Sequence, residues 1–331
     1  MTPILEVRDL DVAYASRSGM LTRALSGVNF SLAGGEILGV LGESGSGKSS
    51  LAAALVRLLP PHSRILRGSV LFEGNDLLEA SEEALRKIRG ARIGVVFQEP
   101  GLALHPAMRV RDQVSEVVRA HSGRDGRGMR EKTDAALRAV FGANAGRLAS
   151  RYPHELSGGQ RQRVLVAQAI VCGPCILIAD EPTASLDPVT QAEILALFRE
   201  LQRAMGLALV LITHNPALLA GFAQRVLVLY AGGVAECGPA AEMLSRPQHP
   251  YTQALLDCLP PWPTAPASPA RPAARTGLPV IAGDSPEMTA LPSGCRFEPR
   301  CPVRMEMCTA REPAATALGA EHSVSCFKYG G

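Results

Sequence analysis

Eight residues, Gly42-Glu43-Ser44-Gly45-Ser46-Gly47-Lys48-Ser49, fit the pattern G-x-x-x-x-G-K-[ST] and constrain this chain more than any other stretch. They follow an apolar run at residues 37–41 and precede a helix-like run at residues 51–59, so the pattern lies where a strand turns into a helix. Glycine lets the backbone curl until successive N–H groups face inward, and the N-terminal end of the next helix adds partial positive charge. Such a loop is suited to phosphate oxygens. Lys48 would reach the β- and γ-phosphates and Ser49 would ligate Mg2+, with Gly42, Ser44, Gly45, Ser46, Gly47 and Ser50 completing the cradle. A Gly/Ser-rich surface turn is the alternative, and the flanking strand and helix argue against it.

A second apolar run, Ile176-Leu177-Ile178-Ala179, ends in the carboxylates Asp180-Glu181, the arrangement called Walker B. Asp180 would hold Mg2+, as P-loop NTPases require. Glu181 points to the other side of the strand, where it would polarise the water that attacks the γ-phosphate. Taken alone, an acidic pair at a strand end is common; with a phosphate loop upstream it reads as part of one site. Between the two lies Leu156-Ser157-Gly158-Gly159-Gln160, followed by a helical run. Ser157 and Gln160 form an S-x-x-Q capping box. Capping leaves the two adjacent glycines unexplained, and they fall where a helix N-terminus favours anions.

At 331 residues, 47% hydrophobic and 20% charged, the chain has the size and composition of an ordinary soluble protein of about two domains. A net charge of +3, with arginines scattered and not striped, gives no footprint for nucleic acid. No secretory signal opens the sequence, and the most apolar long window, residues 164–179, is broken by Gln168, Gly173 and Pro174. We therefore expect a cytosolic protein that does not cross a bilayer.

Alternating residues 4–12 and 25–32 predict strands, as do residues 68–72 and 93–97, with a polar helix at 82–88 between the latter pair. From Arg109 to about Phe141 the period turns helical, interrupted at residues 122–128, and no strand signal returns until Ile176. That is an inserted helical lobe. A helix at 188–205, a strand at 208–213, strands at 226–230 and 234–236, and a small helix at 239–244 follow. Six prolines between Pro260 and Pro272 mark an unpacked linker, and residues 294–331 read as a separate cysteine-bearing tail.

Taken together, these motifs resemble the ATP-binding subunits of ABC transporters, in which Leu-Ser-Gly-Gly-Gln is the signature. The other family motifs follow in order: Gln98 in Val96-Phe97-Gln98-Glu99-Pro100 matches the Q-loop, Ser185-Leu186-Asp187 the D-loop, and His214 in Ile212-Thr213-His214 the switch histidine. Tyr14 stands where an aromatic ring stacks on adenine. The resemblance implies an α/β P-loop (RecA-like) ABC ATPase core with an N-terminal antiparallel β part, an inserted helical subdomain and a small cysteine-bearing C-terminal extension. It implies core segments at 1–98 and 161–246, the helical subdomain with the signature at 99–160, and the extension at 247–331, with a linker near 260–286. Catalysis would fall to Glu181, His214, Gln98 and Lys48, with Ser49, Gln98 and Asp180 around Mg2+. Two such subunits would meet head to tail, and Ser157, Gly158, Gly159, Gln160 and Asp187 would complete the partner's ATP site.

Tyr152-Pro153-His154-Glu155, Tyr230-Ala231-Gly232-Gly233, His249-Pro250-Tyr251-Thr252 and the stretch from Gly294 to Pro302 narrow the resemblance to the dipeptide and oligopeptide importer branch. That branch implies two integral membrane permease subunits, a second ATP-binding subunit (the same chain or a different one), and an extracytoplasmic solute-binding protein. The chain would sit peripherally on the cytoplasmic face of the inner membrane and power peptide import. A soluble ABC-type ATPase acting on nucleic acid or ribosomes is the alternative; one cassette with a compact lobe favours transport. Departures are Asn215, where aspartate usually follows the histidine, Ser185 for alanine, and Ala103-Leu104-His105-Pro106 after the Q-loop. None removes a phosphate, metal or water contact.

Two cysteine patterns remain. Cys172-Gly173-Pro174-Cys175 looks like a redox motif but would sit at a helix C-terminus, where the dipole has the wrong sign to activate a thiol, so a helix stop and turn is expected. Cys295, Cys301, Cys308 and Cys326 are separated by five, six and seventeen residues, which does not fit the paired C-x₂₋₄-C ligands of structural zinc. Four thiolates suit a [4Fe-4S] cluster, which members of this branch with such a tail carry. Zinc, with His322 replacing one thiol, and free thiols stay open as alternatives.

Overall fold

Long apolar runs dictate where the chain must bury strands, and the computed structural model, which describes residues 2–16, 19–122, 126–258 and 280–330, places them accordingly. The chain opens with β1 (Leu5–Ala15) and β2 (Leu21–Leu32), then β3 (Ile37–Leu41), α1 (Lys48–Leu55), β4 (Ser63–Phe72) and β5 (Asn75–Asp76). Next come α2 (Glu82–Ile88), β6 (Ile93–Val96), α3 (Pro100–Ala103), α4 (Val110–Ser122), α5 (Gly126–Phe141), α6 (Ala145–Ala149) and α7 (Gly158–Ile170). Strands resume with β7 (Ile176–Asp180), α8 (Pro188–Met205), β8 (Ala208–Thr213), β9 (Arg225–Tyr230) and β10 (Gly233–Pro239). The last elements are α9 (Ala240–Ser245), α10 (Pro250–Asp257), α11 (Met307–Ala310), β11 (Thr316–Ala317) and β12 (Ser323–Val324). Among the described residues no helix is long and apolar enough to cross a membrane.

The elements form two compact units, one from Met1–Leu32, Ile37–Leu78 and Thr213–Gly331, the other from Ala33–Glu36 and Glu79–Ile212. In the first, β1 pairs antiparallel with both β2 and β4, giving the order β2-β1-β4-β5. These strands run further than alternation alone predicts, because cross-strand pairing carries β1 through Tyr14, opposite Thr22, into the turn. A second set of strands runs β11-β12-β10-β9-β3, with β3 parallel to β9 and the rest antiparallel. Every residue of β3 is buried, the mark of a strand covered on both faces.

In the second unit β8, β7 and β6 run parallel in that order. Helix α8 has the bounds predicted from sequence: Asp187 caps its start, Pro188 opens it, and Gly206, at φ 63°, ends it. Its buried residues Ile194, Leu197, Phe198 and Leu201 form one apolar stripe. Helix α5 begins at Gly126, inside the stretch read as an interruption of the lobe. Cys172-Gly173-Pro174-Cys175 is a stop and turn after α7, with Gly173 at φ 71° donating its N–H to Ile170. Burial pushes the Cys172 thiol pKa up, opposite to what an activated nucleophile needs.

The tail is not separate. Most of the proline-rich linker, residues 259–279, lies outside the described residues, but beyond it β12 pairs with β10 and so joins the sheet of the first unit. Phe297 and Val324 are fully buried there. The anchor is Glu236 on β10, whose carboxylate is wholly buried and accepts the backbone N–H groups of Gln248 and His249, at 2.8 and 2.9 Å, and the His322 ring at 2.9 Å. A two-residue strand pairing is weak by itself, so this buried polar junction holds the tail in place. Glu236→Ala orphans two buried N–H groups and the ring, and should cost about 3 kcal/mol in urea denaturation. Glu236→Gln, which keeps an acceptor, should cost less.

Candidate functional site

In the first unit the phosphate loop leaves β3 and enters α1 as the spacing predicts. Gly47 has a φ of 102° and caps α1; a Cβ there would lie 2.6 Å from the Ala24 carbonyl oxygen. Gly42 is as tightly held, since a Cβ would meet the Leu229 carbonyl oxygen at 2.3 Å. Only glycine fits either place. Lys48 is buried, and its ammonium donates to the carbonyls of Gly42 at 2.9 Å and Glu43 at 2.8 Å, drawing the loop around itself. The first N–H groups of α1, at Lys48, Ser49 and Ser50, are those a helix leaves without an acceptor of its own. Ser44, Gly45 and Ser49 are exposed, while the Ser46 hydroxyl is buried with no hydrogen-bond partner among the described residues. Exposed donors around a curled backbone, with an orphaned hydroxyl among them, fit a phosphate chain.

Tyr14 reaches this loop: its hydroxyl is 2.9 Å from Ser50 Oγ, and its ring lies 5.6 Å from that of His62. His214 is exposed just after β8. The Asn215 carboxamide accepts the Ala217 N–H at 3.0 Å and so caps the short helix Pro216–Leu218, a task aspartate would do equally well. That accounts for the departure at this position.

The second unit brings together Gln98, Asp180 and Glu181. Asp180 ends β7 half-buried, and Glu181, one residue on, adopts a φ of 44°, which side chains with a Cβ rarely do. Its N–H donates to Ile212 at 3.0 Å, locking the turn, and its carboxylate faces the Gln98 amide at a long 3.5 Å. Backbone held in an uncommon region beside a half-buried carboxylate is a feature that clusters at functional sites.

At the start of α7 the capping box forms as predicted, with Gln160 N–H donating to Ser157 Oγ at 3.3 Å and Ser157 N–H to Gln160 Oε1 at 3.0 Å. Gly159 has a packing reason as well: a Cβ would lie 2.4 Å from Thr190 Cγ2 at the start of α8, while at Gly158 the nearest atom would be Leu186 Cδ2 at 3.4 Å. The Asp187 carboxylate accepts the N–H groups of Val189 and Thr190 and the Thr190 hydroxyl, and the Thr190 backbone bond leads in holding its pKa below the ordinary value. The carboxylate thus caps α8 while the residue itself stays exposed.

The four tail cysteines come together in the first unit, where Cys295, Cys301, Cys308 and Cys326 line one cavity of about 240 Å³ with Phe297 and Phe327. Burial pushes the thiols of Cys295 (to about 11), Cys301 and Cys326 up. Among the described residues no three such side chains stand close enough to hold a single metal ion. His322 is committed to Glu236. Sequence reasoning missed Arg300, Tyr251 and Ser285, which meet the loop residue Glu43; contacts this far apart along the chain leave no local pattern.

The profile of the family described as ABC transporter matches residues 25–184, and that of the oligopeptide/dipeptide transporter C-terminal region matches residues 235–308. The chain is 41% identical to the oligopeptide transport ATP-binding protein OppD of Salmonella typhimurium over 98% of its own length and 93% of that protein's. It is 39% identical to the dipeptide transport ATP-binding protein DppD of Bacillus subtilis, over 99% and 95%. It belongs to the ATP-binding proteins of oligopeptide/dipeptide ABC transporters. Among solved structures, a dimeric ATP-binding cassette, MJ0796, in a post-hydrolysis state bound to ADP and Pi superposes with a TM-score of 0.63 at 28% identity, covering 71% of this chain and 98% of that one. The chain is accordingly an ATP-hydrolysing ABC protein, and its fold is consistent with use of ATP and Mg2+. Gly47→Ala forces a side chain against fixed backbone at positive φ; it should abolish ATP binding and lower stability by about 2 kcal/mol, read by nucleotide titration and thermal unfolding.

Proposed function

We propose that this chain powers the import of dipeptides or oligopeptides through a membrane permease by hydrolysing ATP to ADP and phosphate. The observation that carries the reading is the joint match of the ATPase profile and the transporter-specific C-terminal profile, in register with relatives that span nearly the whole chain. Its partners are two permease subunits, a second ATP-binding subunit and an extracytoplasmic solute-binding protein, and it works peripherally at the cytoplasmic face of the inner membrane. Residues 99–160 serve as the helical subdomain that meets the permease, between core segments 1–98 and 161–246.

Within the site, Lys48 and the N–H groups from Ser44 to Ser50 bind the phosphates, and Tyr14 stacks on the base. Ser49, Asp180 and Gln98 are the residues that would hold Mg2+, which when bound would supply positive charge to the phosphates. Glu181 takes the proton of the attacking water, and His214 orients that water. Ser157, Gly158, Gly159 and Gln160 present the N-terminus of α7 to the γ-phosphate held by the partner subunit. The four tail thiols hold a [4Fe-4S] cluster in a structural role. What supports this is that all four line one cavity of about 240 Å³.

Glu181→Gln keeps the shape but loses the base, so hydrolysis in the assembled transporter should fall by about 10²-fold or more while ATP binding persists. A parent-like rate would assign the base elsewhere. Lys48→Ala should weaken nucleotide binding itself. Peptide uptake in cells carrying Glu181→Gln should stop; uptake at the parent rate would sink the transport reading. Anaerobic purification should yield a brown protein with about four irons per chain, the colour lost on Cys→Ser change at any of the four positions. A colourless protein with one zinc would overturn the cluster.

A further inference from the structure

Glu43 is the one acidic residue of the phosphate loop, and it is held at every polar group it has. Its N–H donates to the Tyr251 hydroxyl at 2.9 Å, and its carbonyl accepts the Lys48 ammonium at 2.8 Å. Its carboxylate takes a two-pronged grip from Arg300, Nη1 to Oε2 at 2.8 Å and Nη2 to Oε1 at 3.2 Å, and a third bond from the Ser285 hydroxyl at 2.8 Å. The Arg300 side chain is only 5% exposed; its Nε donates to the Ala282 carbonyl and its guanidinium lies 5.8 Å from the Tyr230 ring. Tyr251 is fully buried. Burial alone would raise the Glu43 pKa, yet the bonds from Arg300 and Ser285 outweigh it and leave the carboxyl below its ordinary value. A bidentate, charge-assisted pair is among the stronger polar contacts a protein makes, and here the arginine is buried while the Glu43 side chain is 26% exposed.

Nothing in the phosphate loop's own chemistry calls for this grip. We propose that Arg300 is a positioning residue for the phosphate loop: acting through Glu43, it holds the loop curled to receive phosphates, so that the C-terminal extension sets nucleotide affinity. The inference rests on the reading that this loop binds ATP. Its physical basis is preorganisation. A loop already ordered by the tail loses less freedom when nucleotide arrives, and Arg300 keeps its place only while the turn Glu298–Arg300, closed by the bond from Cys301 N–H to Glu298, is folded.

The test is a double-mutant cycle on the full-length chain, titrated with ATP. Arg300→Met and Glu43→Gln should each weaken ATP binding by about 5- to 30-fold, and the double variant should be no weaker than the worse single one. Arg300→Lys should recover part of the loss, and the KM for ATP should rise while kcat stays within about 3-fold. Tyr329→Phe, which loosens a tail contact to Gln248 away from the loop, should leave affinity within about 2-fold of the parent. Unfolding midpoints measured alongside show whether each variant is folded. Unchanged affinity in folded Arg300→Met, additive losses in the double variant, or an equal loss in Tyr329→Phe would overturn the proposal. A parent chain that binds no ATP would overturn the ATPase reading as well, and it would show before any variant is compared.

Discussion

A loop that binds phosphate must turn its backbone N–H groups inward, and a backbone turned that way makes few bonds to itself. This is the constraint on which the first unit depends. The curl is fixed from outside: Gly42 and Gly47 let neighbouring backbones approach, Lys48 ties two carbonyls from within, and Glu43 is held by residues more than 200 positions away. β3, buried along its full length, gives the loop a rigid point of departure, and α1 gives it a fixed end. Order is thereby concentrated where a ligand arrives.

The second unit solves a related problem differently. Glu181 leaves the buried strand β7 half-buried, at an uncommon backbone angle immediately after the strand ends. α7 likewise begins with a capping box that satisfies some of its first donors, beside two half-buried glycines. In both units the candidate site residues sit where a regular element starts or stops, because only there are backbone polar groups free of partners within the element.

Much of this was legible in the sequence because it is local. The phosphate loop, the acidic strand end and the capping box are short patterns whose physics is complete within about ten residues, and α8 could be bounded because Asp187, Pro188 and Gly206 each act on their own backbone. The lengths of β1 and β2 were not legible, since partner strands decide them. Least visible was the tail. Residues 294–331 looked short of apolar material, yet Phe297 and Val324 are buried and β12 joins β10, contacts that depend on residues far off in the chain. Glu236 closes the strand read at 234–236, and its bonds to Gln248, His249 and His322 join it to residues that no local pattern connects to it.

Because α10 packs Tyr251 against the phosphate loop on one side of residues 259–279, and Ser285 and Arg300 reach the same loop on the other, the intervening chain begins and ends within one rigid neighbourhood. Losing the segment beyond residue 280 would therefore strip Glu43 of every side-chain bond its carboxylate makes, while the Tyr251 bond to its N–H stayed in place.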